Sequence, residues 1–221
     1  MRIFPINRNP INIIGTDIYY IPVPKIACTS MKASIYKYNH PIFYKLYNIF
    51  DPIYKFNPHR VYGSARFSRH NFDLVAGRFF CFVRDPIERF ISAYDDIVLI
   101  RKKLSTVSRI SPEKKLSDNP SIDQFLSRFD DYMEHGPYVR HHFSPMVTYL
   151  GDDPSFYYKI FLLNDFGSAL KFISENGVDL EPVHTNKSMN KYNKSILNVD
   201  QRKIVKQIYK KDYEFIRACD L

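Results

Sequence analysis

The sequence predicts an α/β fold: a central parallel β-sheet flanked by helices, with a phosphate-binding-loop-like strand–loop–helix. Two observations predict it. Apolar runs of strand length alternate with stretches of helical periodicity, the pattern of βαβ units. Arg78 to Arg84 (Arg-Phe-Phe-Cys-Phe-Val-Arg) is almost continuously apolar, as expected of a strand covered on both faces. The chain has 221 residues, 45% of them hydrophobic. That suits a single domain over residues 1–221 with a substantial core. It excludes a disordered, collagen-like or disulfide-scaffold protein. No apolar run approaches the roughly 18 residues of a membrane-spanning helix.

The elements follow in order. Asp17 to Val23 reads as a strand entering a turn at Pro24-Lys25. Thr29 to Tyr38 reads as a helix, with Met31, Ser34, Ile35 and Tyr38 at helical spacing. Residues 40–58, punctuated by Pro41, Pro52 and Pro58, read as a connecting excursion. Arg60 to Ala65 reads as a second strand and Ser68 to Val75 as a short helix capped by Ser68. After the strand at 78–84, Asp85-Pro86 opens a helix whose apolar stripe is Phe90, Ala93, Tyr94, Ile97 and Val98. Residues 101–120, rich in Lys, Ser and Pro, read as a surface segment. Tyr157 to Leu163 reads as another buried strand. Asn164 to Glu175 reads as a helix stopped by Asn176-Gly177, and Val199 to Arg217 as one closing amphipathic helix.

The charge is +9 and unevenly spread. Residues 187–211 hold eight Lys/Arg against one acid, Asp200, a net +7. Such a block attracts a polyanion, a nucleotide or an anionic surface, or is a solvated helix face. The three cysteines, Cys28, Cys81 and Cys219, contain no Cys-x-x-Cys pair and give neither a metal site nor a disulfide framework. Cys81 reads as a buried small hydrophobe. The first residues carry no secretory signal, so a reducing, cytoplasmic setting is expected.

Chemistry is expected at the carboxyl ends of the strands, where open α/β sheets bind ligands. In Pro24-Lys25-Ile26-Ala27-Cys28-Thr29-Ser30, a strand ends, a short loop follows and a helix begins. A helix N-terminus offers N–H groups and positive potential to an anion. Lys25 adds a charge, and Thr29 and Ser30 add hydroxyls. The Walker pattern is absent, and alone the segment also reads as a Thr N-cap beside a surface Lys. In Arg84-Asp85-Pro86-Ile87-Glu88-Arg89-Phe90-Ile91-Ser92-Ala93-Tyr94, Arg84 leaves a strand end and Ser92 follows in the next helix. Arginine suits bidentate phosphate recognition.

Together, in this order, the two segments resemble those of the sulfotransferases that use 3′-phosphoadenosine 5′-phosphosulfate (PAPS), nearest the carbohydrate type and sulfotransferase family 2. The likeness extends to His184-Thr-Asn186-Lys-Ser188 and to a closing helix with Asp212-Tyr213. It implies the PAPS sulfotransferase fold and the transfer of a sulfuryl group to a carbohydrate hydroxyl by in-line displacement. It implies that Lys25 contacts the sulfate and the bridging oxygen, that Ala27, Cys28, Thr29 and Ser30 cradle the 5′-phosphate, and that Arg84 and Ser92 hold the 3′-phosphate. Asn186, Lys187 and Ser188 would close over the nucleotide. PAPS is the donor co-substrate, and no metal is implied.

The expected partner is a carbohydrate or glycolipid acceptor, with no nucleic acid and with membrane-surface association only through the acceptor. A general base near the acceptor oxygen favours the transfer, and histidine is the natural choice. His142-Phe143-Ser144-Pro145-Met146 resembles a His-Trp-x-Pro-Gln segment of the carbohydrate enzymes, which points to His142. His70, after the second strand, is the other candidate. In uronyl 2-O-sulfotransferases a base histidine follows that strand closely, but the matching position here is Ser64 and the role does not carry over. His59 and His135 read as surface loop residues. Transfer to protein tyrosine or a small alcohol is an alternative, and so is a non-catalytic polyanion-binding module.

Overall fold

The computed structural model describes residues 10–50, 56–73, 75–110, 112–183, 196–219 and 221. In chain order the elements are β1 (Ile11–Asn12), β2 (Ile18–Ile21), α1 (Cys28–Asn39), α2 (Pro41–Phe50), α3 (Arg69–Asp73), β3 (Arg78–Val83), α4 (Pro86–Tyr94), α5 (Ser105–Ile110), α6 (Ile122–Ser127), α7 (Phe129–His135), α8 (Pro137–Phe143), α9 (Val147–Leu150), β4 (Lys159–Leu162), α10 (Phe166–Ser174), α11 (Val199–Ile208) and α12 (Lys210–Ala218). They fall into two compact units. The first comprises the described residues within Met1–Val83, Met146–Asn190 and Ala218–Leu221. The second comprises those within Arg84–Pro145 and Lys191–Arg217.

The first unit is α/β, with a four-stranded sheet in the order β1-β2-β3-β4. β2 and β3 are parallel, with Ile21 opposite Cys81, and β3 and β4 are parallel, with Val83 opposite Leu162. Their carboxyl ends therefore share one edge. β1 adds an antiparallel edge pair that the sequence did not signal. Its turn uses Gly15 at φ 88°, a conformation glycine adopts at no steric cost. β3 is buried from Phe79 to Val83, and Cys81 is fully buried as expected. β4 alternates from exposed to buried instead of being buried throughout. Among the described residues it is the last strand in the order, with a neighbour on one side only. α1 is buried on most of its circumference, including Met31, Ala33, Ser34, Ile35 and Tyr36. Ser34 Oγ accepts from the Val183 amide at 2.9 Å, so its burial leaves no polar group orphaned.

Two expectations fail in this unit. Residues 41–50 form a helix, because Pro41 occupies the first turn, where its missing N–H costs nothing. No breaker follows before Pro52. Residues 60–65 do not form a strand. Only Tyr62 bridges, while Ser64 bonds to Lys32 on α1 and Arg60 to Tyr47 on α2 instead of to a sheet neighbour.

The second unit is helical. Its core gathers Phe90, Tyr94, Ile97, Val98, Phe125, Tyr132, Phe143, Val205 and Tyr209, so the stripe predicted for α4 is the face it buries. α4 runs into a π-helical turn, Asp95–Ile100. The stretch 101–120 is less superficial than expected: Leu104, Val107 and Leu116 belong to the core. The closing helix is two helices, α11 and α12, interrupted at Tyr209. That side chain is buried, and its hydroxyl donates to the Phe143 carbonyl at 2.8 Å. Capping boxes at Ser121/Gln124 and Asn198/Gln201 start α6 and α11, and Gln201 Nε2 donates to Asp123 Oδ1 at 2.8 Å. Among the described residues no helix is long and apolar enough to cross a membrane.

Candidate active site

The loop after β2 is set by its prolines. Pro22 and Pro24 are buried, and Lys25 follows at φ 69°. Proline and then a positive φ is the pattern of a type II turn, whose second central residue is usually glycine. Here a lysine holds that place. Ala27 is also left-handed, at φ 45° and ψ 12°. Each non-glycine residue in this region costs roughly 1–2 kcal/mol, and such strain gathers at ligand clamps and active sites. A left-handed residue running into a right-handed helix turns successive N–H groups toward one concavity, which receives anions.

α1 begins at once. Ala27 has no side chain to cap it, and its first turn carries no acid. The first helical hydrogen bond runs from the Met31 amide to the Ala27 carbonyl, 3.1 Å. The amides of Cys28, Thr29 and Ser30 precede it and point out of the helix end, where the dipole adds positive potential. Cys28 is buried; Lys25, Ala27, Thr29 and Ser30 are half-buried.

The segment 57–64 lies along the first turns of α1. Asn57 caps a short 3₁₀ turn, Pro58–Arg60, by accepting from the His59 amide at 3.0 Å. His59 Nε2 then lies 3.0 Å from Thr29 Oγ1. Three residues further along the same helical face, Lys32 Nζ donates to Ser64 Oγ at 3.1 Å. Lys32 is 0% exposed, and burial lowers its pKa from the ordinary lysine value, opposed by the Cys28 thiol one turn earlier. Tyr36 stacks on Phe56 at 4.3 Å and meets Tyr62 edge-on at 6.0 Å, which packs this stretch against α1.

The second unit carries the other segment. Asp85 caps α4, accepting from the Glu88 amide at 2.9 Å, and Pro86 fills the first turn. Arg84 Nε is 3.5 Å from Glu88 Oε2, and the Arg84 side chain is 15% exposed. Burial lowers the guanidinium pKa and Glu88 opposes the shift. Ser92 stands one turn beyond Glu88, half-buried, so Arg84, Glu88 and Ser92 share one side of the helix start. Arg89, in the same motif, does a different job. It is fully buried, and one guanidinium nitrogen donates to the Ser144 carbonyl at 2.8 Å and the His142 carbonyl at 3.4 Å. With Tyr209 on Phe143, it satisfies the carbonyls that end α8.

His142 sits in α8, half-buried, its ring against Tyr138 at 4.6 Å and His141 at 4.9 Å. His70 lies on α3, with its side chain outside the described atoms. Asn186, Lys187 and Ser188, in the stretch 184–194, lie outside the described residues. Asp131, Glu134 and His135 form the single trio of metal-ligating groups among the described residues. Asp131 already meets Arg128 at 2.7 Å and Lys114 at 3.3 Å, so the group is an ion-pair cluster.

A family model described as the sulfotransferase family matches residues 15–216, which includes both motif segments and reaches into both units. The chain belongs to the sulfotransferase family. The α/β sheet with its strand–loop–helix is the sulfotransferase fold, and the reaction class is sulfuryl transfer. No match came from the curated proteins or the solved structures. Both segments singled out in the sequence lie within the matched residues of this sulfotransferase. Sequence reasoning missed His59, Lys32 and Ser64 as their neighbours: spacing puts Thr29 and Lys32 on one helical face, but the partners arrive from a stretch about thirty residues away.

Proposed function

We propose that the chain transfers the sulfuryl group of PAPS to a hydroxyl of a carbohydrate acceptor. The observation that carries the donor half is the loop after β2. A lysine is held at φ 69° where glycine would be unstrained, at the open end of an uncapped helix with no acid in its first turn. Such an arrangement favours an anion and a cationic side chain fixed beside it.

In this reading the 5′-phosphosulfate lies on the amides of Ala27, Cys28, Thr29 and Ser30, and Arg84 and Ser92 hold the 3′-phosphate. Asn186, Lys187 and Ser188 close over the nucleotide. The acceptor oxygen attacks sulfur in line with the bridging oxygen. One S–O bond forms as the other breaks, and its electrons move to the departing phosphate. Lys25 stabilises the charge that appears on the bridging oxygen, and a group fixed in advance at that point is usually a large catalytic contribution. His59 holds the Thr29 hydroxyl against the loop. For the acceptor half, Tyr38 and Phe43 are exposed in the same unit, and flat aromatic faces of this kind stack on sugar rings. Arg84 takes the 3′-phosphate with Glu88 at its flank, which orients the guanidinium at some cost in net charge.

Calorimetric titration with 3′-phosphoadenosine 5′-phosphate (PAP), the product nucleotide, tests the donor half. The wild type is expected to bind at micromolar concentration. Arg84→Ala is expected to weaken binding about 30-fold or more, the loss of charge-assisted hydrogen bonds. Lys25→Ala is expected to keep most of the PAP affinity and to lose about 10²–10³ in turnover of PAPS. Absence of binding by the wild type at millimolar PAP overturns the reading. Sulfate incorporation into a glycan panel, compared with a tyrosyl-peptide panel, tests the acceptor class.

A further inference from the structure

Acceptor sulfation releases a proton, and the first unit contains a buried amine bonded to a hydroxyl, Lys32 and Ser64. Lys32 is fully buried on α1, one turn beyond Thr29 on the same face, and its amino group bonds to Ser64. Ser64 is half-buried and belongs to the segment whose His59 touches the loop threonine. A buried ammonium needs three acceptors, preferably with an opposite charge among them. Among the described residues Lys32 bonds to one hydroxyl and faces one other titratable group, the Cys28 thiol. No carboxylate among the described residues pairs with it. An ammonium so placed is costly, whereas an uncharged amine keeps its lone pair for the Ser64 proton.

We propose that Ser64 and Lys32 form a proton relay for the transfer, with Ser64 Oγ as the atom that meets the acceptor hydroxyl and Lys32 Nζ as the final proton acceptor. This rests on the sulfuryl-transfer reading and adds to it the group that removes the proton. The acceptor O–H proton passes to Ser64 Oγ as the Ser64 proton passes to Nζ. The acceptor O–S bond forms, the bridging S–O bond breaks, and its electron pair leaves with the nucleotide. Lys32, now an ammonium, returns its proton to water through Ser64 after the product departs. Burial lowers the pKa of this amine, which is the direction the role needs.

The test has two arms on the full chain. Protein labelled with [ε-13C]lysine reports the charge of Lys32 directly, its resonance assigned by loss in Lys32→Met. The relay expects Lys32 to lose its proton below the ordinary lysine range; an ammonium that titrates at or above the ordinary lysine value overturns it. The second arm measures PAP affinity and turnover of PAPS on the glycan panel. Lys32→Met and Ser64→Ala are expected to bind PAP within threefold of wild type. Turnover is expected to fall about 100-fold, with loss of the rise in rate with pH that the relay predicts for the wild type. Lys32→Arg, which restores a charge but no base, is expected not to rescue. Wild-type turnover in both variants, rescue by arginine, or a loss found in His142→Ala alone overturns the relay. Failure of the wild type to bind PAP is a separate result and overturns the donor reading, while the resonance of Lys32 still decides its charge.

Discussion

Lys32 gives a stability prediction independent of any substrate. Its pKa is depressed in the folded protein by burial, from an ordinary value of 10.5. Between the folded value and 10.5 the unfolded chain binds the extra proton, so stability rises with pH through that window. Below the folded value the pH dependence ceases and the burial cost remains. Lys32→Met keeps the volume and removes the charge. It is expected to be more stable than wild type at pH 7, by about 1 kcal/mol or more, near 2–4 °C in Tm. The advantage is expected to shrink toward pH 10. Thermal unfolding at pH 7, 8.5 and 10 checks this; a methionine variant less stable at every pH means the amine is a structural donor. The same accounting marks the loop, where Lys25 and Ala27 hold left-handed backbone that their side chains disfavour.

Among the elements, β3 and α4 were the most legible. An apolar run followed by Asp-Pro states its own boundary: burial on both faces writes the strand, and Asp85 and Pro86 write the helix start. α2 was misread because a proline at a first turn looks locally like one in a break. The closing helix was read as one because Tyr209 fits its periodicity. What interrupts it is a bond to Phe143 from a different part of the chain. The segment 57–64 was hardest, since its conformation follows from what it bonds on α1 and not from its own pattern. One junction tests how tightly the sheet is set. Gly77 precedes β3 where a Cβ would come within 2.4 Å of the Tyr19 ring and 2.7 Å of the Asp17 carbonyl. Across this junction Arg78 holds Asp17 through its amide at 2.8 Å and through two guanidinium bonds. The backbone cannot yield without breaking that pairing. Gly77→Ala is expected to cost about 1–3 kcal/mol, read as a lower Tm, with PAP affinity per folded molecule unchanged because the strain lies at the amino end of the strands.

On the scale of the whole molecule, the charge of +9 raises the alternative of a polyanion-binding module. The described part of the basic block argues for a solvated face. Arg202, Lys203, Lys206, Lys210 and Lys211 are exposed, Lys203 is 2.9 Å from Asp200, and Lys210 is 3.8 Å from Glu214. Exposed pairs of this kind contribute little to stability, and their charge acts mainly over distance. Salt separates the two readings. A protein that neutralises six to ten phosphates of a polyanion loses about 10³–10⁵ in affinity between 50 and 200 mM salt. A nucleotide phosphate held by one fixed cation displaces few counterions, and Arg84, whose side chain is 15% exposed, is weakly screened. PAP affinity is therefore expected to fall less than about tenfold over that range, and binding of a heparin-like polyanion to fall steeply. If PAP binding collapses with salt as steeply as the polyanion does, the nucleotide is held by the diffuse basic surface, and the strained loop after β2 is not its site.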